Sequence, residues 1–118
     1  FERTRRLTTE YGFDYYGANW LWDRSITIVG SIYYDRDNAE QVGRLKQLFR
    51  ALIADSKQHG YGEYRTHIDF MDEVARSFDY NGYATMRMQQ SIKQALDPNG
   101  LIAPGKSGIW PQGQGWLR

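Results

Sequence analysis

The sequence predicts an α+β fold. Three observations carry this expectation. Two aromatic-rich runs alternate with period two between residues 13 and 35. A long stretch over residues 39–59 has helical periodicity. Further helical runs follow in the second half. Helices beside an antiparallel pair of strands are the α+β pattern.

Residues 1–10 are charged and weakly helical, and FERTRR at their start holds neither an initiator Met nor a signal-peptide apolar core. The stretch FDYYGANWLW, from Phe13, reads as a strand, with Gly17 marking a bulge. Asp23-Arg24 is a turn. The run SITIVGSIYYD over 25–35 places Ile26, Ile28, Ile32 and Tyr34 on one face and reads as a second strand antiparallel to the first. In the DRDN cluster, Asp37 or Asn38 is the N-cap of the next helix. Val42, Leu45, Leu48, Phe49, Leu52 and Ile53 form its apolar stripe, and Gly60 ends it in a left-handed cap.

The second half is punctuated differently. Residues 60–67, GYGEYRTH, are a glycine-rich extended link. Ile68, Met71, Val74, Ala75 and Phe78 predict one helix, and Met88, Ile92, Ala95 and Leu96 another. Asp97-Pro98-Asn99-Gly100 is a turn, because proline presets its dihedral and glycine closes it. The remainder is irregular. A two-stranded sheet is marginal alone, and Ile109, Trp110 and Trp116 have no evident layer to pack on. The expectation is therefore that further strands lie elsewhere and that the chain is the end of a larger protein.

Composition narrows function. The 118 residues carry 15 Lys and Arg against 14 Asp and Glu, a net charge of +1, which argues against a polybasic nucleic-acid binder. No apolar run approaches the roughly 18 residues of a membrane span, so neither nucleic acid nor membrane is an expected partner. There is no cysteine, hence no disulfide or thiolate site. His59 and His67 lack a third ligand in pattern, so no metal is expected. No serine stands in a nucleophile-elbow context, and Gly105-Lys106-Ser107 has the ending of a P-loop without its upstream glycines.

The densest candidate site is Gly62-Glu63-Tyr64-Arg65-Thr66-His67. Tyr64 offers a hydroxyl donor and Arg65 a permanent cation with a planar fork of donors, a combination suited to an anionic oxygen on an apolar ligand. The competing reading is a Glu63–Arg65 surface pair at a strand–helix junction. In a regular strand Tyr64 and Arg65 point to opposite faces, so shared use requires a bend. The Tyr and Trp residues of 15–22 and 33–34 suit either a pocket for an aromatic ligand or sugar, or plain core.

Two segments go further. GYGEYRTHIDFMDEVARSF (60–78) and ALDPNGLIAPGKSGIWP (95–111) resemble the C-terminal end of the vanillyl-alcohol oxidase family of FAD-dependent 4-alkylphenol oxidases, which includes the flavoprotein of para-cresol methylhydroxylase. The resemblance extends upstream to residue 13. The DPxGxxxPGK pattern is shared loosely among FAD-linked oxidases, whereas EYRTH marks the phenol-oxidising branch.

The resemblance implies that residues 1–60 end a cap domain of antiparallel strands plus helix, and that 61–118 are the helical C-terminal return to an FAD-binding domain. It implies FAD as cofactor and a 4-alkylphenol substrate such as vanillyl alcohol, eugenol, cresol or ethylphenol. Hydride passes from the benzylic carbon to flavin N5 through a quinone methide. Tyr64 and Arg65 are then the catalytic pair on the phenolic oxygen, Tyr15, Ala18 and Val29 line the substrate cavity, and Arg65 and Lys106 contact the flavin. Arg24 matches the family's second cap strand, but Thr27 and Ile28 replace its His-His pair, which bears on substrate preference. The implied partners are the rest of the same flavoprotein, a c-type cytochrome subunit as electron acceptor, and further copies in a homo-oligomer. The expected location is cytoplasmic, with peroxisomal and periplasmic alternatives, and the chain alone is expected to be inactive. Two other readings remain: a stand-alone aromatic- or glycan-binding module, and an FAD-linked 2-hydroxy-acid oxidase whose arginine grips a carboxylate.

Overall fold

The computed structural model describes residues 1–117. In chain order the elements are α1 (Glu2–Glu10), β1 (Tyr16–Leu21), β2 (Ile26–Ser31), α2 (Ala39–Gln58), a 3₁₀ turn (Ile68–Phe70), α3 (Met71–Ala75), α4 (Tyr80–Leu96) and a second 3₁₀ turn (Lys106–Gly108). The class is α+β. Two compact units divide the chain after Asp55.

In the first unit, β1 and β2 form an antiparallel hairpin with continuous register from Tyr16↔Ser31 to Leu21↔Ile26. The bulge expected at Gly17 is absent. Gly17 pairs with Gly30, and the Tyr15 ring lies across both: a Cβ on Gly17 would sit 2.5 Å from the Tyr15 hydroxyl, and one on Gly30 would sit 3.0 Å from its ring. The glycines make room for an aromatic ring rather than an extra residue. Trp22 N–H donates to Ser25 O at 2.9 Å and closes the expected turn at Asp23-Arg24.

The helix α2 starts as its sequence directs. Asn38 Oδ1 accepts the Gln41 N–H at 3.1 Å, which identifies Asn38 rather than Asp37 as the cap. At its end Gly60 has φ +74°, and Tyr61 N–H reaches back to Ser56 O at 2.9 Å. The core of this unit is Phe13, Leu45 and a fully buried Leu48, with Leu7, Tyr11, Ile32, Phe49 and Leu52 around it. Each such side chain contributes about 1.5–3 kcal/mol on leaving water. The weakly helical N-terminus is in fact a full helix. Its fully buried Thr8 donates its hydroxyl to Thr4 O at 2.8 Å, so the side chain enters the core with its polar atom satisfied.

The second unit departs from the sequence expectation twice. The single helix expected over Ile68–Phe78 is a 3₁₀ turn followed by the five residues of α3. Ser77 Oγ donates to Val74 O at 2.6 Å, competing with helix continuation. Ile68 and Phe78 are accordingly exposed, while Phe70, Val74 and Ala75 are buried. The last helix begins earlier than expected, with Asn81, Gly82 and Tyr83 in left-handed conformation before the regular helix. Tyr83 meets Trp116 edge-on at 5.2 Å. Among the described residues no helix is long and apolar enough to cross a membrane.

Candidate functional site

The segment 60–67 leaves α2 through the Gly60 cap and runs against Phe78. A Cβ at Gly62 would stand 2.8 Å from the Phe78 ring, so a larger residue there would push that ring aside. The chain bends at Tyr64-Arg65. The bend brings the two side chains together: Arg65 Cζ lies 5.8 Å from the Tyr64 ring centroid, a cation–π contact. Tyr64 is 79% exposed and Arg65 is exposed as well.

The Glu63–Arg65 surface pair is not formed. Arg65 has no ion-pair partner among the described residues, and Glu63 is half-buried, its carboxyl pushed above the usual range by burial. A neutralising pair would have lowered it. His67 supports the backbone: its Nδ1 accepts the Asp69 N–H at 3.2 Å and caps the 3₁₀ turn that leads into α3. Among the described residues no three potential ligands gather for a metal.

The loop after α4 is built on Asp97. Its two carboxylate oxygens accept the Leu101 and Ile102 N–H groups at 2.9 and 2.8 Å, and Lys93 Nζ pairs with it at 2.5 Å. These contacts hold its carboxyl down at about 2, the Lys93 hydrogen bond contributing most. Lys93 Nζ also donates to Ile102 O. The loop then carries Lys106, exposed and with no carboxylate partner among the described residues. Its neighbours are tied to α3: Ser107 N–H points at Met71 Sδ at 3.3 Å, and Trp110 Nε1 donates to Asp72 Oδ1 at 2.8 Å. Sequence reasoning missed this role of Asp72. An Asp on a helix has many surface uses, and only the fold shows its partner.

Of the remaining candidates, Ala18 and Val29 are cross-strand partners and share one face of the hairpin. Tyr15 lies on the opposite face, over Gly17 and Gly30. Its hydroxyl is buried with no partner among the described residues, and burial pushes its ionisation up. A cavity of about 280 Å³ opens beside Tyr61, Phe78 and Tyr80, with the Lys57–Asp79 ion pair (2.7 Å) at its edge; neither Tyr64 nor Arg65 lines it.

Arg65 against the Tyr64 ring and Lys106 on the glycine-rich loop are thus two exposed cations with no carboxylate partner among the described residues. The chain belongs to the FAD linked oxidases: the family described as "FAD linked oxidases, C-terminal domain" matches residues 2–107. FAD is the cofactor of this family.

The phenol-oxidising branch appears among the individual relatives. The chain is 35% identical over 105 residues to the 4-cresol dehydrogenase (hydroxylating) flavoprotein subunit of Pseudomonas putida, covering 89% of this chain and 20% of the relative. It is similar to the 4-ethylphenol oxidase of Gulosibacter chungangensis, solved with isoeugenol, at 35% identity and TM-score 0.91 over 94% of this chain and 21% of that one. It is also similar to substrate-bound p-cresol methylhydroxylase, at 34% identity and TM-score 0.86 over 92% and 21%. The chain thus spans about a fifth of the length of these relatives.

Proposed function

We propose that the chain is the substrate-recognising C-terminal part of an FAD-dependent flavoprotein that oxidises 4-alkylphenols, with residues 1–60 closing the cap and 61–118 returning to the FAD-binding domain. The observation that carries this reading is the Tyr64–Arg65 bend, which brings a guanidinium with no ion-pair partner among the described residues to 5.8 Å from the Tyr64 ring and leaves both side chains exposed.

The chemistry fits the donors. A free phenol ionises near 10, so holding it as phenolate at neutral pH asks for about 3 units, roughly 4 kcal/mol, of preferential stabilisation. One cation and one hydroxyl donor in a site closed to water supply energy of that order. Tyr64 donates its O–H to the phenolate oxygen, and Arg65 donates N–H to the same atom. The phenolate pushes electron density to the para position and weakens the benzylic C–H bond toward hydride loss. Bound FAD supplies the hydride acceptor. The organic product of that step is a quinone methide, resolved by adding water at the benzylic carbon or by losing a proton from the next carbon.

Arg65 and Lys106, both cationic and unpaired among the described residues, are suited to hold FAD. Tyr15, Ala18 and Val29 remain the residues proposed to line the substrate cavity, Ala18 and Val29 from one face of the hairpin and Tyr15 from the other. The relatives divide over the electron acceptor. One is named a dehydrogenase flavoprotein subunit, which supports a second, c-type cytochrome subunit here; another is named an oxidase. Oxygen uptake during phenol turnover separates these two fates.

The test is flavin reduction in the flavoprotein carrying these residues. Tyr64→Phe and Arg65→Met each lower kcat/KM for 4-ethylphenol by about 10²–10³-fold, the cost of removing one donor to a developing oxyanion. Unchanged phenol turnover in both variants, or reduction by 2-hydroxy acids in place of phenols, overturns the reading.

A further inference from the structure

We propose that α3 is a positioning brace. It fixes the Tyr64–Arg65 bend relative to the Lys106 loop, and the Asp72–Trp110 hydrogen bond is the tie that sets it. The inference rests on the function proposed above and assigns a role to residues that function does not itself require.

Three contacts converge on the five residues of α3, and two more hold the 3₁₀ turn that leads into it. Ahead of it His67 Nδ1 takes the Asp69 N–H, and Phe70 N–H returns to His67 O at 3.0 Å, so the residues after Arg65 are fixed in a turn that runs directly into the helix. Along its side Asp72 Oδ1 accepts from Trp110 Nε1 at 2.8 Å, a charge-assisted bond between half-buried groups. Met71 Sδ faces Ser107 N–H at 3.3 Å. Finally, Gly108 packs so tightly on Ala75 that a Cβ there would lie 2.4 Å from the Ala75 Cβ.

The loop needs such support. Ala103 and Ser107 hold φ values of +40° and +54°, which side-chain-bearing residues adopt only when their surroundings impose them. Trp110 also covers Gly105 and Gly115, whose added Cβ atoms would meet its indole at 2.6 and 2.4 Å. One indole therefore holds the turn before Lys106, and one carboxylate holds the indole. A five-residue helix cannot be stable alone, so its position is set by these ties. Through them, loosening one side reaches the other.

Asp72 and Trp110 are thus positioning residues: neither is placed on substrate or cofactor. Three variants test this, Asp72→Leu, Trp110→Phe and Asp72→Asn, the last keeping an oxygen acceptor for the indole. Amide hydrogen exchange is measured on the flavoprotein carrying these residues. Binding of 4-tert-butylphenol, which has no benzylic hydrogen to lose, is measured on the flavoprotein.

The expected result is faster exchange at Ser107–Ile109 and also at Asp69 and Phe70 in Asp72→Leu and Trp110→Phe, by about five- to tenfold, the size of one lost hydrogen bond. Exchange in residues 86–94 of α4 stays unchanged. The dissociation constant of the phenol rises about threefold or more in the same two variants. Asp72→Asn behaves as the parent in both measurements. Faster exchange confined to 107–109 with unaltered phenol binding overturns the brace, and so does loss of binding in Asp72→Asn equal to that in Asp72→Leu. A parent protein that fails to bind the phenol, or binds it no less tightly after Arg65→Met, overturns the proposed function instead. The exchange pattern still decides whether α3 couples the two segments.

Discussion

The hairpin β1–β2 and the segment 97–116 invert the usual relation between regularity and support. The hairpin has continuous register, yet of its twelve strand residues only Thr27 is even half-buried. The tail has almost no regular structure, yet Asp97, Trp110, Gly105 and Gly108 are each fixed by several short contacts. Ladder hydrogen bonds alone leave two strands marginal. An irregular loop becomes rigid when side chains satisfy its backbone and aromatic rings fill its turns. Regular structure and local stability are separate properties in this chain.

The same substitution placed in each region breaks or sharpens the contrast most. Gly108→Ala puts a side chain at φ +74° and 2.4 Å from the Ala75 Cβ, so strain and overpacking together destabilise by about 3 kcal/mol. Gly17→Ala is not strained in φ and meets the Tyr15 hydroxyl at 2.5 Å and two of its ring carbons at 2.7 Å, the far end of a side chain that can turn aside, so it costs about 1 kcal/mol. Denaturant melts of both variants measure the difference. Equal costs would mean that the tail is no better supported than the hairpin.

These two glycines also mark what is legible in the sequence. The strand pair, the Asn38 cap, the Gly60 stop and the DPNG turn follow from local rules, and the structure has them. The bulge expected at Gly17 fails because a strand glycine signals a bulge or a close approach equally well, and only the position of the Tyr15 ring distinguishes them. The helix expected over 68–78 fails because Ser77 satisfies the Val74 carbonyl locally, which apolar periodicity does not register. At the candidate site, the residue types at 64 and 65 are readable and so is the need for a bend. The unformed Glu63–Arg65 pair and the Asp72–Trp110 tie are not, because both depend on tertiary packing.

The two regions also fail at opposite ends of the pH scale. The Asp97 carboxyl is lowered from 3.8 to about 2 in the fold, so its contribution to stability is complete above 3.8 and is lost as the pH falls through about 2. Asp97→Asn removes this acid limb and lowers the melting temperature at neutral pH. Tyr15 is shifted the other way: its folded value lies above 10.0, so the stability it protects is present below that pH and lost as the pH rises through the folded value. Tyr15→Phe removes the alkaline limb. It also deletes a buried hydroxyl with no partner among the described residues, which raises neutral-pH stability by about 1 kcal/mol. Thermal melts across the pH range check both variants, and an acid limb that survives Asp97→Asn would assign it to another carboxylate.

The smallest effect is the most informative about what the hairpin is for. Trp20 is 59% exposed and sits across from Thr27 on the face that carries Ala18 and Val29. In the chain alone, Trp20→Thr therefore costs only about 0.5 kcal/mol, the worth of a cross-strand pair. An open face that carries Tyr16, Ala18, Trp20 and Val29 is a surface suited to being covered. In the flavoprotein, where the proposed function makes this hairpin part of the cap over the substrate, the same substitution costs about 2 kcal/mol, because an indole closed off from water is then removed. A cost that stays near 0.5 kcal/mol in the flavoprotein would leave the hairpin bare there too and would remove the cap from the reading, while the Tyr64–Arg65 pair would be unaffected. The hairpin is thus read by the difference between two measurements of one variant, whereas the tail reveals its support in a single melt.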